Sequence, residues 1–324
     1  MRDVAVIGAG RIGAIHARNL AAMPGVRVAG IADPDAAAAS RLAAACRTEV
    51  IALDAAFAAG AVVIASPTPT HADFVERAAA AGCAVFCEKP LDLDAGRVRA
   101  CLAAATRASI LLMVGFNRRF DPSFAALKAT IAAGVIGRLE LLSITSRDPA
   151  PPPAAYLRAS GGLFRDMTIH DFDMARFLLD EEPVGVHATA SALLDEVRAA
   201  GDIDTAAVTL RTASGAIATI TNSRRASYGY DQRIEAHGAD GLVAAGNRTA
   251  TSLTLADRHG FRTDPALPFF LERYEAAYRA EIATFIAALD GEDVTFPGGE
   301  DGLRALLIAD AALESSRSGR EVAL

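Results

Sequence analysis

The sequence predicts an α/β fold: an N-terminal domain on a parallel sheet with helical crossovers, then an α+β domain on an open, largely antiparallel sheet. Three observations predict it. As far as Val114, short β-branched runs alternate with alanine-rich stretches of helical period. After Asn117 the pattern changes to runs that alternate at strand period, broken by one helical stretch. A length of 324 residues, with 52% hydrophobic side chains and 26 glycines, is ordinary for a globular chain and suffices for two domains. The expected division is 1–118 and 119–324.

Val4 to Ile7 is β-branched and ends at Gly8, and Ile12, Ile15 and Leu20 behind it recur at helical spacing, so a strand is followed by a helix. Val26 to Ala32 is the next strand. A helix from Pro34, a strand at Ala61 to Ala65, a helix from His71, a strand at Ala84 to Cys87, a helix from Leu93 and a strand at Ile110 to Val114 are expected after it. Strands separated by helices of about ten to fifteen residues make βαβ units and a parallel sheet. Beyond them a helix is expected around Ser123 to Ala133, and strands at Leu141 to Thr145, Ala206 to Leu210, Ala216 to Thr221 and Gln232 to Ala236. One long helix, Leu163 to Leu179, interrupts these strands, and Leu271 to Leu289 and Asp301 to Ser316 close the chain as helices. Pro149 to Pro153 reads as a loop inside the second domain, because strands continue past it.

Charge and cysteine usage exclude several classes. Lys+Arg 32 against Asp+Glu 39 gives a net charge of −7, so the chain offers no basic face for nucleic acid or an anionic membrane. Cys46, Cys83, Cys87 and Cys101 form no CxxC pair and no disulfide framework. No apolar run approaches the roughly 18 residues of a spanning helix. A glycine motif already occupies the first residues, leaving no room for a signal peptide ahead of it, so a soluble protein of the cytoplasm is expected.

Gly8-Ala9-Gly10-Arg11-Ile12-Gly13 follows a strand and opens a helix, where glycines permit a tight turn and backbone N–H groups can meet a pyrophosphate. Asp33 stands twenty positions beyond Gly13 at the end of the second strand, the place of an acid that accepts from adenosine ribose hydroxyls. A carboxylate there repels a 2′-phosphate, which favours NAD over NADP. The alternatives are a turn without ligand and, for Asp33 before Pro34, a helix cap. Ser66, Thr68 and His71 sit at the carboxyl end of the third strand, on the ligand edge of such a sheet, although Thr70 with Asp73 could equally be a capping box.

Glu88-Lys89-Pro90 ends the fourth strand on the same edge. Basic residues here are almost all arginine, and only Lys89 and Lys128 are lysines. Lysine can lose its proton where arginine cannot, so Lys89 is a candidate for proton chemistry, with a surface pair to a glutamate as the alternative. Asp166 and His170 are four apart on the long helix and Asp173 is one turn on. A carboxylate beside an imidazole orients it and raises its basicity, as a general base requires. The alternative is a solvated polar stripe. No second histidine falls at ligand spacing, so no metal site is expected.

The glycine motif, Glu88-Lys89-Pro90, and the run Gly161-Gly162-Leu163-Phe164-Arg165-Asp166-Met167-Thr168-Ile169-His170-Asp171 together resemble the Gfo/Idh/MocA oxidoreductases over essentially the whole chain. The stretches 115–121, 228–233 and 269–274 are most similar to the family's inositol-oxidising branch. The resemblance implies a Rossmann domain, an open-sheet domain, an active site in the cleft between them and a homotetramer using the open sheet face. It carries the family's catalytic lysine, aspartate and histidine onto Lys89, Asp166 and His170, and implies NAD contacts from Gly8, Gly10, Arg11, Ile12, Gly13, Asp33, Ser66, Thr68, His71, Glu88 and Lys89. The expected activity is oxidation of a secondary ring hydroxyl of a small cyclic polyol, myo-inositol to its 2-keto form, with scyllo-inositol or another sugar as the alternative. Asn117, Arg118, Asp173 and Tyr230 are expected hydroxyl contacts. A non-catalytic NAD sensor is the rival of another class, disfavoured by an intact Lys89, Asp166 and His170.

Overall fold

In the computed structural model, which describes residues 1–324, the chain forms two compact units. The first unit is Met1–Phe120 with Ala277–Leu306, and the second is Asp121–Ala276 with Leu307–Leu324. Residues 277–306, which the sequence pattern groups with 119–324, thus belong to the first unit. The sequence of α11 (Glu275–Leu289) shows which residues recur at helical spacing but not which sheet they cover.

The first unit begins with β1 (Arg2–Ile7), α1 (Arg11–Ala21), β2 (Val26–Ala32), α2 (Ala36–Cys46), a one-turn α3 (Leu53–Ala56) and β3 (Ala61–Ile64). It continues with α4 (His71–Ala80), β4 (Ala84–Glu88), α5 (Ala95–Ala108) and β5 (Leu112–Gly115). The strands pair in the order β2-β1-β3-β4-β5, all parallel. Every residue of β3 is buried, as a strand covered by helices on both faces must be. Ile7 pairs with Ile64 and Ile64 with Cys87, so the carboxyl ends of three strands are aligned, β4 running one residue further, and their following loops share one edge. The strand order reverses between β1 and β3, the position at which open α/β sheets bind ligands.

Among the helices that connect the parallel strands, two starts differ from the expected ones. α2 begins at Ala36, not Pro34, because Asp35 is its cap and accepts from the N–H groups of Ala37 and Ala38 at 3.0 Å each. α5 begins at Ala95, with Asp94 accepting from the Arg97 N–H at 2.8 Å. The core joins Val4, Val6, Ile31, Val63, Phe86 and Met113 to Ile282, Phe285 and Ile286 from α11 (Glu275–Leu289).

The second unit contains α6 (Pro122–Ala132), β6 (Leu139–Arg147), α7 (Ala154–Ala159), a wide π-turn Phe164–Thr168, α8 (Ile169–Leu179), β7 (Pro183–Ser191) and α9 (Asp195–Ala199). Then come β8 (Thr205–Thr212), β9 (Ile217–Ser223), β10 (Asp231–Gly238), β11 (Gly241–Ala245), the hairpin β12 (Thr254–Asp257) and β13 (Gly260–Thr263), and α10 (Phe270–Arg273). After α11, the chain ends with α12 (Gly299–Ser318) and β14 (Val322–Ala323). Seven strands pair as β11-β10-β6-β9-β8-β7-β14, and β6 with β9 is the parallel pair in an otherwise antiparallel sheet. β8 and β10 alternate buried and exposed residues, the mark of a sheet with one covered face. The four cysteines are buried free thiols, and no helix is long and apolar enough to cross a membrane.

Arg273 of α10 pairs with Asp121 inside the second unit, each about 1% exposed. Asp121 also caps α6, accepting from the N–H groups of Ser123 and Phe124 at 3.1 and 3.2 Å. The guanidinium lies over the rings of Phe124 and Tyr274, 5.2 and 4.8 Å from their centroids. Removing one partner leaves a buried charge uncompensated, so Arg273→Ala should cost about 3 kcal/mol or more of stability in urea unfolding. The double variant Asp121→Asn/Arg273→Met should lose less than the two singles added together. A single variant within about 1 kcal/mol of the parent would contradict this role of the pair.

Candidate active site

The cofactor edge is built from the backbone outward. Gly8 leaves β1 at φ +106°, and a Cβ on it would sit 2.4 Å from the Ala65 carbonyl oxygen. A Cβ on Gly13 would be 1.9 Å from the Gly8 carbonyl oxygen, so the first and third glycines are steric requirements. Around Gly10 there is open space, and Gly10 caps α1 without any side chain covering the helix end. The first-turn N–H groups of α1, those of Arg11, Ile12 and Gly13, therefore have no side-chain cap, a cradle that fits a pyrophosphate.

Asp33 at the end of β2 is not a helix cap. Its Oδ2 accepts from the Ala9 N–H at 2.6 Å and its Oδ1 from the Asp35 N–H at 2.8 Å, which ties the glycine loop to the neighbouring strand. A carboxylate has about four acceptor positions, so lone pairs remain for ribose hydroxyls. The residues present fit NAD.

The Ser66–His71 loop is braced internally. Ser66 and Thr70 hydroxyls meet at 2.6 Å and Thr70 also donates to the Pro67 carbonyl at 2.8 Å. Thr70 stands at the N-cap of α4 but makes no side-chain cap, so the alternative reading as a capping box with Asp73 does not hold; Asp73 pairs with Arg97 at 2.5 Å instead. Thr68 opens the 3₁₀ turn that leads into α4. His71 is buried, with Nδ1 2.8 Å from the Pro90 carbonyl oxygen and Nε2 2.7 Å from that of Ser66. It links the loop after β3 to the loop after β4. Burial pushes its pKa down against the pull of the two carbonyls, and the Lys89 ammonium adds to the lowering.

Glu88 is paired across the sheet with Gly115, where a Cβ would lie 3.0 Å from the Glu88 carboxyl carbon. Its carboxylate meets Nε2 of His16, a buried residue of α1, at 2.7 Å. Lys89 is half-buried at the same edge. The other lysine has a structural setting: Lys128 pairs with Asp180 at 2.9 Å and lies 5.4 Å from the Phe177 ring centre. Asn117 and Arg118 are buried in the turn after β5.

In the second unit, Gly161 and Gly162 adopt positive φ and turn the chain into the π-turn. A Cβ on Gly162 would stand 2.9 Å from Asp202 Oδ1, which accepts from the Leu163 N–H at 3.0 Å. Asp166 does not lie on an exposed stripe. Its Oδ1 accepts from the Tyr156 hydroxyl at 2.8 Å and its Oδ2 from Arg224 at 3.2 Å, and Arg224 is 1% exposed. Arg224 also faces Asp202 at 3.7 Å. His170 is half-buried in the first turn of α8. The start of α8 is fixed to β9 by Asn222, which donates to Asp171 at 2.7 Å and accepts from Thr168 at 2.8 Å.

Asp173 is 1% exposed and 3.9 Å from Arg176 on the same helix. Tyr230 packs edge-on against Phe269 and Tyr274, both at 6.0 Å. Its neighbour Asp231 is buried, yet Arg233, Asn247 and Tyr228 outweigh that burial and hold its carboxyl below the usual range. Tyr156, Arg224 and His16 belong to no motif in the sequence. Arg224 stands 58 residues from Asp166, and no spacing rule connects them.

Residues 2–116 match the family model described as "Oxidoreductase family, NAD-binding Rossmann fold", and residues 124–244 match the GFO/IDH/MocA C-terminal domain. The chain is 53% identical to an inositol 2-dehydrogenase of Rhizobium meliloti, over 98% of both chains. Among solved structures, it superposes on a myo-inositol dehydrogenase from Corynebacterium glutamicum with a TM-score of 0.94 at 48% identity, covering 99% of this chain and 98% of that one. A scyllo-inositol dehydrogenase from Lactobacillus casei, solved with bound NAD(H) and scyllo-inositol, gives a TM-score of 0.92 at 28% identity over 100% and 99% of the two chains. With both domain models matched in order and full-length likeness to these proteins, the chain belongs to the GFO/IDH/MocA oxidoreductase family.

Proposed function

We propose that the protein oxidises myo-inositol to 2-keto-myo-inositol with NAD, acting in the cytoplasm as a homotetramer. The substrate rests on the full-length identity of 53% to an inositol 2-dehydrogenase. The observation that carries the chemistry is the setting of Asp166, held by Arg224 and Tyr156 one helical turn before His170. Such a carboxylate is fixed in place, as a group that must orient an imidazole has to be.

His170 takes the proton of the reacting hydroxyl. Asp166 orients it and stabilises the imidazolium that forms. Lys89 donates a hydrogen bond to the same oxygen and stabilises its alkoxide character. NAD, when bound, accepts the hydride from the carbinol carbon. The pyrophosphate rests on the first turn of α1 and the ribose on Asp33, while Ser66, Thr68, His71 and Glu88 line the same edge. Asn117, Arg118, Asp173 and Tyr230 are the proposed hydroxyl contacts. For the tetramer, the support is an apolar row on the uncovered sheet face: Leu141 and Ile217, in register and each 39% exposed, continue through His237 to Leu242, 51% exposed.

Asp33→Ala should raise KM for NAD by about 10-fold or more, because a hydrogen bond to a charged acceptor is worth about 1.5–3 kcal/mol, and should narrow the preference over NADP. Equal kcat/KM for both cofactors in the parent would refute the ribose role. Lys89→Arg should lose on the order of 10²–10⁴ in turnover, nearly as much as Lys89→Ala, with NAD affinity largely kept. A near-normal rate in Lys89→Arg would reduce Lys89 to a plain charge.

The decisive experiment is kcat against pH on myo-inositol. Oxidation should speed up with rising pH through one apparent pKa as the base becomes neutral, and His170→Ala should flatten that limb. An unchanged limb would move the base elsewhere, and absence of turnover on any cyclitol would remove the substrate assignment.

A further inference from the structure

Glu281 is a buried acid that the proposed reaction does not use. It lies on α11 with no exposure, and neither of its carboxylate oxygens accepts a hydrogen bond. One ligating atom each from Glu281, His16 and Glu88 lie within 4.8 Å of one another. Aromatic rings close the surroundings: Phe86 and Tyr278 pack edge-on against the His16 imidazole, and Phe285 against Phe86. The titratable groups facing Glu281 are His16 from α1 and Glu88 from β4, and Tyr278 of its own helix packs on the His16 ring.

An ionised carboxylate in this setting would lack every donor and face a second carboxylate, an arrangement that favours one shared proton. His16 cannot relieve it, since its Nε2–H is directed to Glu88, which when ionised only accepts. A protonated Glu281 reverses the situation, because a carboxylic acid is a donor and the Glu88 oxygens are acceptors.

We propose that Glu281 is kept as a neutral carboxylic acid that donates to Glu88, so that two donors, His16 and Glu281, clamp the Glu88 carboxylate and fix the end of β4 that carries Lys89. Glu281 is then a positioning residue, acting on the reaction only through Glu88. Burial first, and the Glu88 charge second, push its pKa well above the usual carboxylate range. The proton itself does not depend on the proposed substrate; only the consequence for Lys89 does.

The test compares the full-length parent with Glu281→Gln and Glu281→Leu. Infrared difference spectra should show the carbonyl stretch of a protonated carboxylic acid in the parent at neutral pH, lost in E281Q. A raised folded pKa means the proton stabilises the fold at low pH, and that this contribution fades as pH climbs from 4.5 through the raised value. E281Q has no such proton to lose, so its Tm relative to the parent should rise as pH climbs above 4.5, by roughly 2–4 °C or more.

On the catalytic side, E281L should lower kcat about 10-fold or more with KM for NAD little changed, and Gln, which keeps an N–H donor, should restore most of that loss. No protonated-acid band in the parent, a parallel pH dependence of Tm in E281Q, or one equivalent of metal in the parent that E281Q loses would each overturn the proposal. If the parent turns over no cyclitol, the substrate reading falls while the infrared and melting results still decide where the proton is.

Discussion

The chemistry of the first unit depends on the parallel register of β1, β3 and β4. Because Ile7, Ile64 and Cys87 are aligned across the sheet, the residues after them leave on the same edge. Gly8–Gly13, Ser66–His71 and Glu88–Lys89 are far apart in sequence, and only this register makes neighbours of them. The loops are then stitched together by single side chains: Asp33 to the Ala9 N–H, and His71 to the carbonyls of Ser66 and Pro90. Each stitch spans two loops, so a group placed on one is positioned relative to the others.

The second unit solves the same problem differently. Its polar groups sit at the start of one helix and are held by a buried arginine and an asparagine from the far end of a strand. Arg224 faces two acids, Asp166 and Asp202, and Asp202 also receives the N–H of Leu163 at the entry to the π-turn. Charge pairing and backbone geometry are therefore one device: the residue that bends the chain toward Asp166 shares its cation with Asp166. π-turns concentrate at functional sites, and here the wide turn contains Asp166 and hands the chain directly to His170.

Much of this was legible in the sequence because it is local. β-branched runs fix strands, and Val26–Ala32 coincides with its expected range. Glycine spacing fixes the turn into α1, since the steric demand on Gly8 and Gly13 comes from atoms of that turn and the adjoining strand end. What could not be read was which of several capable groups is already engaged. Asp33 and Asp35 are both good caps by composition, and the Ala9 N–H, a group with no sequence signature, decides between them. Thr70 followed by Asp73 has the capping-box spacing, but its hydroxyl is drawn to Ser66 and Pro67. The partner of Asp166 lies on a distant loop, and the destination of α11 is set by the shape of the first unit's core rather than by anything in the helix itself.

That destination has a consequence for synthesis on the ribosome. The nascent first unit can pair its five strands once Gly115 has emerged, but the apolar surface that receives Ile282, Phe285 and Ile286 stays uncovered until α11 is made. At 5–20 residues per second this interval lasts about 9–35 s, during which an incomplete sheet domain is exposed to chaperones and to its neighbours on the polysome. Neither unit is a contiguous stretch of chain, so a cut at the apparent domain boundary would leave the first unit without residues 277–306, while the C-terminal fragment would keep all of the second unit and carry those residues with nothing to cover.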